Sequence, residues 1–268
     1  MTKILYVDCT RGLASDMLVA SLADSFKDKD RILRELQDNI NNNMTLTLDP
    51  AKSYEREGLL FRAKDNVYDC HNNCGQNNCG QGDENHHGYH VHSTLADVYE
   101  FIDNTAFSDG VKNSAKGVYE LIAEAEAEVH GGSADTVHFH EVGQKRAIAC
   151  IVCACVLIEA SGAEKIVLSP INTGYGKVVC AHGEVDVPAP ATKILLRGIP
   201  SFYESGLSGE LCTPTGVALA KYFASDFVAD KDRFEALALS DPCGIGLGSR
   251  DIGRANGVRV FAAEDFTV

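Results

Sequence analysis

Positive charge is scarce in this chain. Lys and Arg number 24 against 38 Asp and Glu, a formal net charge of −14 over 268 residues. An acidic surface repels phosphate backbones and anionic headgroups, which argues against nucleic acid or a membrane surface as partner. Long apolar runs are missing as well, so no stretch is suited to crossing a bilayer. The opening Met1-Thr2-Lys3-Ile4-Leu5-Tyr6-Val7-Asp8 has too short an apolar run for a signal peptide. A cytoplasmic protein is the expectation. What the chain does have is cysteine, ten of them. In that compartment they read as thiols or metal ligands rather than as a disulfide framework. An apolar content of 45% is that of a folded protein.

Internal repeats are also absent, and the chain reads as one domain over residues 1–268. Residues 4–7 read as a buried strand, and apolar spacing predicts helices over 17–22 and 32–40. Strands are expected at 45–48 and 58–67. Residues 95–102 and 111–129 carry helical spacing, the second stretch closed by Gly131 and Gly132. An apolar helix over 147–160 stops near Gly162, and strands follow at 165–168 and 177–180. Pro188 and Pro190 lead into a short helix ending near Gly198. Thr213-Pro214-Thr215-Gly216 opens another, with threonine as N-cap and proline in the first turn. Strands at 234–239 and 257–262 close the chain. Strands and helices without strict alternation predict an α/β or α+β fold, a mixed sheet packed with helices.

Two segments carry metal-ligand chemistry. In His138-Phe139-His140-Glu141, residues two apart in an extended chain point to the same side, so His138 and His140 can aim at one ion. With Glu141 and the distant His182 they make a first shell suited to a divalent transition metal. The second segment, 69–92, is rich in Asn, Gly, Gln, His and Cys and has no periodicity, which reads as a flexible loop. It contains Cys70, Cys74, Cys79, His86, His87, His90 and His92, whose spacing is not that of a zinc ribbon. Such a loop suits capture of nickel, zinc or copper with low selectivity.

Other signals are weaker. Gly244-Ile245-Gly246-Leu247-Gly248 invites a nucleotide-loop reading, but no helix follows it, so a tight turn is expected. Thr213, Thr215 and Gly216 are the better anion candidates, because hydroxyls and amides converge at a helix start. A plain helix cap explains them equally well. Cys150 and Cys153 share a helix face at i and i+3, where buried packing is favoured over a shared metal.

Several motifs in series carry a family resemblance. They are Asp8-Cys9, Gly12 and Asp16-Met17; His138-Phe139-His140-Glu141-Val142-Gly143; Cys180-Ala181-His182-Gly183; Val187-Pro188-Ala189-Pro190-Ala191-Thr192; and Gly209-Glu210-Leu211 followed by Thr213-Pro214-Thr215-Gly216. In order and approximate spacing the chain resembles LarC-type nickel insertion proteins, diverged, over their N-terminal part. The resemblance implies insertion of nickel into a pyridinium-3,5-bisthiocarboxylic acid mononucleotide during nickel-pincer cofactor biosynthesis, a CTP-dependent cyclometallase reaction. It implies that His138, His140, Glu141 and His182 hold or relay nickel while Asp8, Asp16, His140 and Glu141 assist with metal or proton transfer. CTP and its divalent metal are then expected on a C-terminal half that is missing here, which makes a separately encoded half a partner. Self-association is left open. The alternatives are a non-catalytic nickel or zinc metallochaperone and a diverged nucleotide-binding paralogue. Where the family places aspartates this chain has Arg146 and Cys150, and Arg11 replaces a serine, which weakens cation binding and strengthens anion binding.

Overall fold

The computed structural model describes residues 3–67, 93–180, 183–228 and 241–264. The expected strand at 234–239, the loop at 69–92 and His182 lie outside them. The first part of the chain forms β1 (Lys3–Asp8), α1 (Ser15–Asp24), α2 (Lys29–Ile40), β2 (Met44–Ser53) and β3 (Arg56–Asp65). Next come β4 (Ser93–Thr94), α3 (Leu95–Asp103), α4 (Asp109–His130), β5 (His138–Phe139) and α5 (Lys145–Ser161). Short strands follow: β6 (Lys165–Leu168), β7 (Ile171–Asn172), β8 (Gly174–Tyr175), β9 (Lys177–Cys180) and β10 (Gly183–Asp186). The last part holds α6 (Pro190–Leu195), β11 (Ser201–Phe202), β12 (Gly209–Glu210), α7 (Pro214–Phe223), β13 (Asp226–Phe227), β14 (Gly244–Leu247) and β15 (Gly257–Glu264).

Seven of these strands make one mixed sheet in the order β13-β6-β1-β15-β14-β3-β2. Strand β15 runs antiparallel to both β1 and β14, and β2 is antiparallel to β3. The remaining neighbours are parallel. This is the α/β architecture expected, a mixed sheet packed with helices.

Alternation along β1 divides the interior. Leu5 and Val7 enter the large cluster that the helices bury, whereas Ile4 and Tyr6 join Val167 and Phe261 on the other face of the sheet. Helix α5 buries every residue from Ile148 to Cys155 because it packs against α1, α4 and other helices at once. Its Cys150, Cys153 and Cys155 are all buried, as small hydrophobes usually are. Helix ends follow local rules. Thr94 and Asp97 form a capping box on α3, Ser108 caps α4, and α4 and α5 end at left-handed Gly131 and Gly162.

The glycine run is not the tight turn expected from its composition. Gly244–Leu247 is strand β14, and its glycines let α1 lie directly on the strand. A Cβ on Gly246 would sit 1.9 Å from the Met17 carbonyl oxygen, and one on Gly244 would sit 2.1 Å from that of Ser21. No described helix is long and apolar enough to cross a membrane.

Candidate functional site

The ends of β1 and β12 bring two helix starts together. After β1 the chain turns through Gly12, whose φ of 106° a side chain would strain. A Cβ there would also meet the Leu211 carbonyl oxygen at 2.4 Å. Backbone bonds from Leu13 N to Leu211 O (2.8 Å) and from Thr213 N to Leu13 O (2.9 Å) zip the two segments. Helices α1 and α7 therefore begin side by side. Ser15 Oγ and Thr215 Oγ1 lie 3.1 Å apart, as do Thr213 Oγ1 and Thr215 Oγ1. The Gly216 amide donates to Thr213 Oγ1 (3.2 Å), the N-cap bond of α7. The three candidate anion-binding residues thus already bond one another.

A third helix start, that of α5, completes this group. Ser15 acts to lower the Cys150 thiol, and the Arg146 guanidinium acts on both Cys150 and Asp16. Burial raises the Asp16 carboxyl above the ordinary carboxylate range, although the Met17 amide (2.9 Å) and Arg146 oppose it. Burial likewise pushes the Cys150 thiol up, with Asp16 adding to the shift, so it stays protonated at neutral pH. The cluster offers a protonatable carboxyl within electrostatic reach of an exposed cation.

Glu141 approaches a second partly buried acid. Burial raises the Glu210 carboxyl; Arg250 counters this and Glu141 reinforces it. Burial raises the Cys212 thiol to about 12, with Glu210 adding to the shift. Cys212 and Asp8 both raise Cys9, again after burial.

The His-Phe-His segment is extended for only two residues. His138 pairs with Thr94 across β4 and β5, and it helps lower Asp97 after the Thr94 donors have done so. Phe139 is buried against Tyr119 (centroids 5.9 Å), and the chain then turns over residues 140–144. Gly143 permits that turn, since a Cβ there would meet Phe139 Cβ at 2.6 Å. His138 is exposed and His140 half-buried, and the extended run ends between them at Phe139.

Asp8 is engaged on both oxygens. Oδ1 accepts the Thr10 amide (2.9 Å) and hydroxyl (2.6 Å), and Oδ2 accepts Arg259 Nε (2.7 Å) with the second guanidinium nitrogen at 2.5 Å. At 1% exposure it organises the end of β1. Among the described residues no group of three His, Cys, Asp or Glu converges to hold a metal ion. Cys70, Cys74, Cys79, His86, His87, His90, His92 and His182 are outside that set.

Sequence reasoning passed over Ser15, Arg56, Glu210, Arg250 and Arg259 as site residues. Glu210 was within reach, standing three residues before Thr213. The arginines carry no local signature, because only strand register and the fold of residues 248–256 bring them to this end of the sheet.

Comparison with known proteins assigns the family. The family model described as nickel insertion protein matches residues 5–267. A pyridinium-3,5-bisthiocarboxylic acid mononucleotide nickel insertion protein of Staphylococcus epidermidis is 36% identical over 264 residues, 98% of this chain and 60% of that protein. Similarly named proteins of Clostridium kluyveri and Alkaliphilus metalliredigens are 34% and 32% identical, over 98% and 99% of this chain and 62% and 61% of theirs. The chain thus spans about three-fifths of the length of these relatives. No solved structure gives a significant match. The chain belongs to the nickel insertion protein family.

Proposed function

We propose that this chain handles nickel as a substrate and supplies the proton-transfer site for its insertion into a pyridinium dithiocarboxylate mononucleotide. In forming a carbon–nickel bond the ring loses a proton, and a base must take it. The observation that carries this reading is the Asp16 carboxyl. It is partly buried, and burial raises it against the opposing pull of Arg146, which makes it a better proton acceptor than a solvated carboxylate. Glu141 and Glu210 form the second acidic pair. His138, His140, Glu141 and His182 are proposed as nickel ligands or relays, and Cys70, Cys74, Cys79, His86, His87, His90 and His92 as the capture set. Thr213, Thr215 and Gly216 would meet the nucleotide at the start of α7. CTP and its divalent metal belong, on this reading, to a separate C-terminal half, in keeping with relatives that extend beyond the matched length.

The test is incubation of the purified chain with nickel and the dithiocarboxylated mononucleotide, with and without CTP and a separately expressed C-terminal half of a relative. Pincer product that is formed by the wild type and lost in Asp16→Asn supports the proposal. Nickel binding that vanishes with residues 69–92, with no product under any condition, would leave a metallochaperone. A second reading, a nucleotide-binding paralogue with altered chemistry, is favoured by Arg146 beside Asp16 and by Arg11 close to Arg56. Tight mononucleotide binding without nickel uptake would select it.

A further inference from the structure

Strand register gathers arginines around Asp8 on the face of the sheet opposite the helices. Asp8 lies across from Arg259, and Arg259 across from Ile245. Ile245 stands beside Gly58, where a Cβ would come within 2.6 Å of its carbonyl oxygen. Arg56 precedes Gly58 by two positions on β3 and so shares that face. Arg11 follows β1 in the turn toward α1 and is close enough to Arg56 to depress it, after burial and Arg259.

The group is not balanced internally. Asp8 is bonded by Thr10 and Arg259 and neutralises one guanidinium only. Arg259 is further held over the Phe261 ring, 5.4 Å from its centroid. Two cations remain, opposed from the rim by Glu55. Nη1 of Arg56 is buried and has no hydrogen-bond partner among the described residues. A buried donor without an acceptor destabilises a fold, and does so more when it is charged. Like charges brought together add to that cost, in a chain with only 24 basic residues. A multidentate anion would relieve both terms, since the guanidinium fork matches phosphate oxygens.

We propose that Arg11, Arg56 and Arg259 form a binding site for a phosphate monoester dianion, with Asp8 as the positioning carboxylate that orients Arg259. The same chemistry is presented by a mononucleotide and by the terminal phosphate of a nucleoside triphosphate. Assigning it to the mononucleotide rests on the proposed function; the anion site does not.

Calorimetric titration of the full chain with inorganic phosphate, a pyridinium mononucleotide, its nucleoside and CTP tests this. Phosphate is expected to bind the wild type, and Arg56→Met to weaken it tenfold or more while the unfolding midpoint holds or rises. Arg11→Gln, a change in the turn, is expected to weaken binding in the same direction and serves if Arg56→Met does not fold. Absence of phosphate binding at millimolar concentration, or binding unchanged in the folded variants, would overturn the site. Mononucleotide binding tighter than nucleoside, with loss of that difference in Arg56→Met, assigns the phosphate to the mononucleotide. Preferential Arg56-dependent binding of CTP assigns it to the triphosphate, with the site intact. Arg56-dependent phosphate binding in a chain that never yields pincer product would remove the nickel-insertion reading and leave the site standing.

Discussion

Asp8 and Asp16 are held in opposite electrostatic situations. Asp8 is surrounded by donors, Thr10 on one oxygen and Arg259 on the other, with its side chain 2% exposed. Removing its charge strands Arg259 among like charges, so Asp8→Asn is expected to cost about 3–5 kcal/mol, the range for breaking one half of a buried pair. Urea unfolding measures this, and a loss under about 1 kcal/mol would contradict the bonding described, because exposed pairs are worth no more. Asp16 and Glu210 are instead raised, chiefly by burial. A carboxyl whose folded pKa exceeds its unfolded value favours the fold fully below the unfolded pKa and loses that contribution as pH rises through the folded one. Glu210→Gln should therefore flatten the decline in stability on the alkaline side of pH 4.5, where the ordinary carboxyl titrates. Denaturation midpoints across pH 4 to 7 check it, and a slope equal to the wild type's would refute the assignment. Asp16 was legible as a candidate from its motif. Its raised proton affinity was not, because the burial that causes it, and the Arg146 charge that opposes it, come only with tertiary packing.

Helix α1 and strand β14 touch without side chains between them. Gly244 and Gly246 face the backbone of Met17 and Ser21, so a methyl group has no flexible neighbour to displace. Gly246→Ala is expected to cost about 3 kcal/mol or more, at or above the usual limit for overpacking. Chemical denaturation tests this, and a cost below about 1 kcal/mol would mean that α1 moves freely on the sheet. Helix α7 offers a milder case. Thr213→Ala removes the N-cap bond to Gly216 and should cost about 1 kcal/mol by the same measurement. Most helices and the strand at 165–168 were legible because apolar period and capping residues are local. The glycine run was not: its meaning, close approach rather than a turn, depends on a helix more than 200 positions earlier. The turn after His138 was not legible either, since nothing local marks the end of extended structure at Phe139.

The chain as a whole carries a net charge of −14 and repels itself. Screening shortens from about 30 Å to about 8 Å between 0.01 M and physiological salt. A neutral, weakly binding salt should then raise the thermal midpoint by about 2–4 °C, the equivalent of roughly 1 kcal/mol at this size. A midpoint that falls instead would show attractive pairs outweighing the net charge. Within this acidic molecule the arginines are concentrated by topology. Arg259 reaches Asp8 because β15 lies antiparallel to β1, and Arg56 joins them through β14 and β3. Composition, apolar period, capping chemistry and serial motifs were enough to establish a mixed α/β protein of the nickel insertion family, because each is written in neighbouring residues. The pairing of helix starts at Ser15 and Thr215, the approach of Glu141 to Glu210 and the gathering of guanidinium groups around Asp8 were decided by tertiary structure. These depend on strand order and helix packing between segments distant in the chain, and the balance of burial and charge that sets their chemistry exists only once those segments meet.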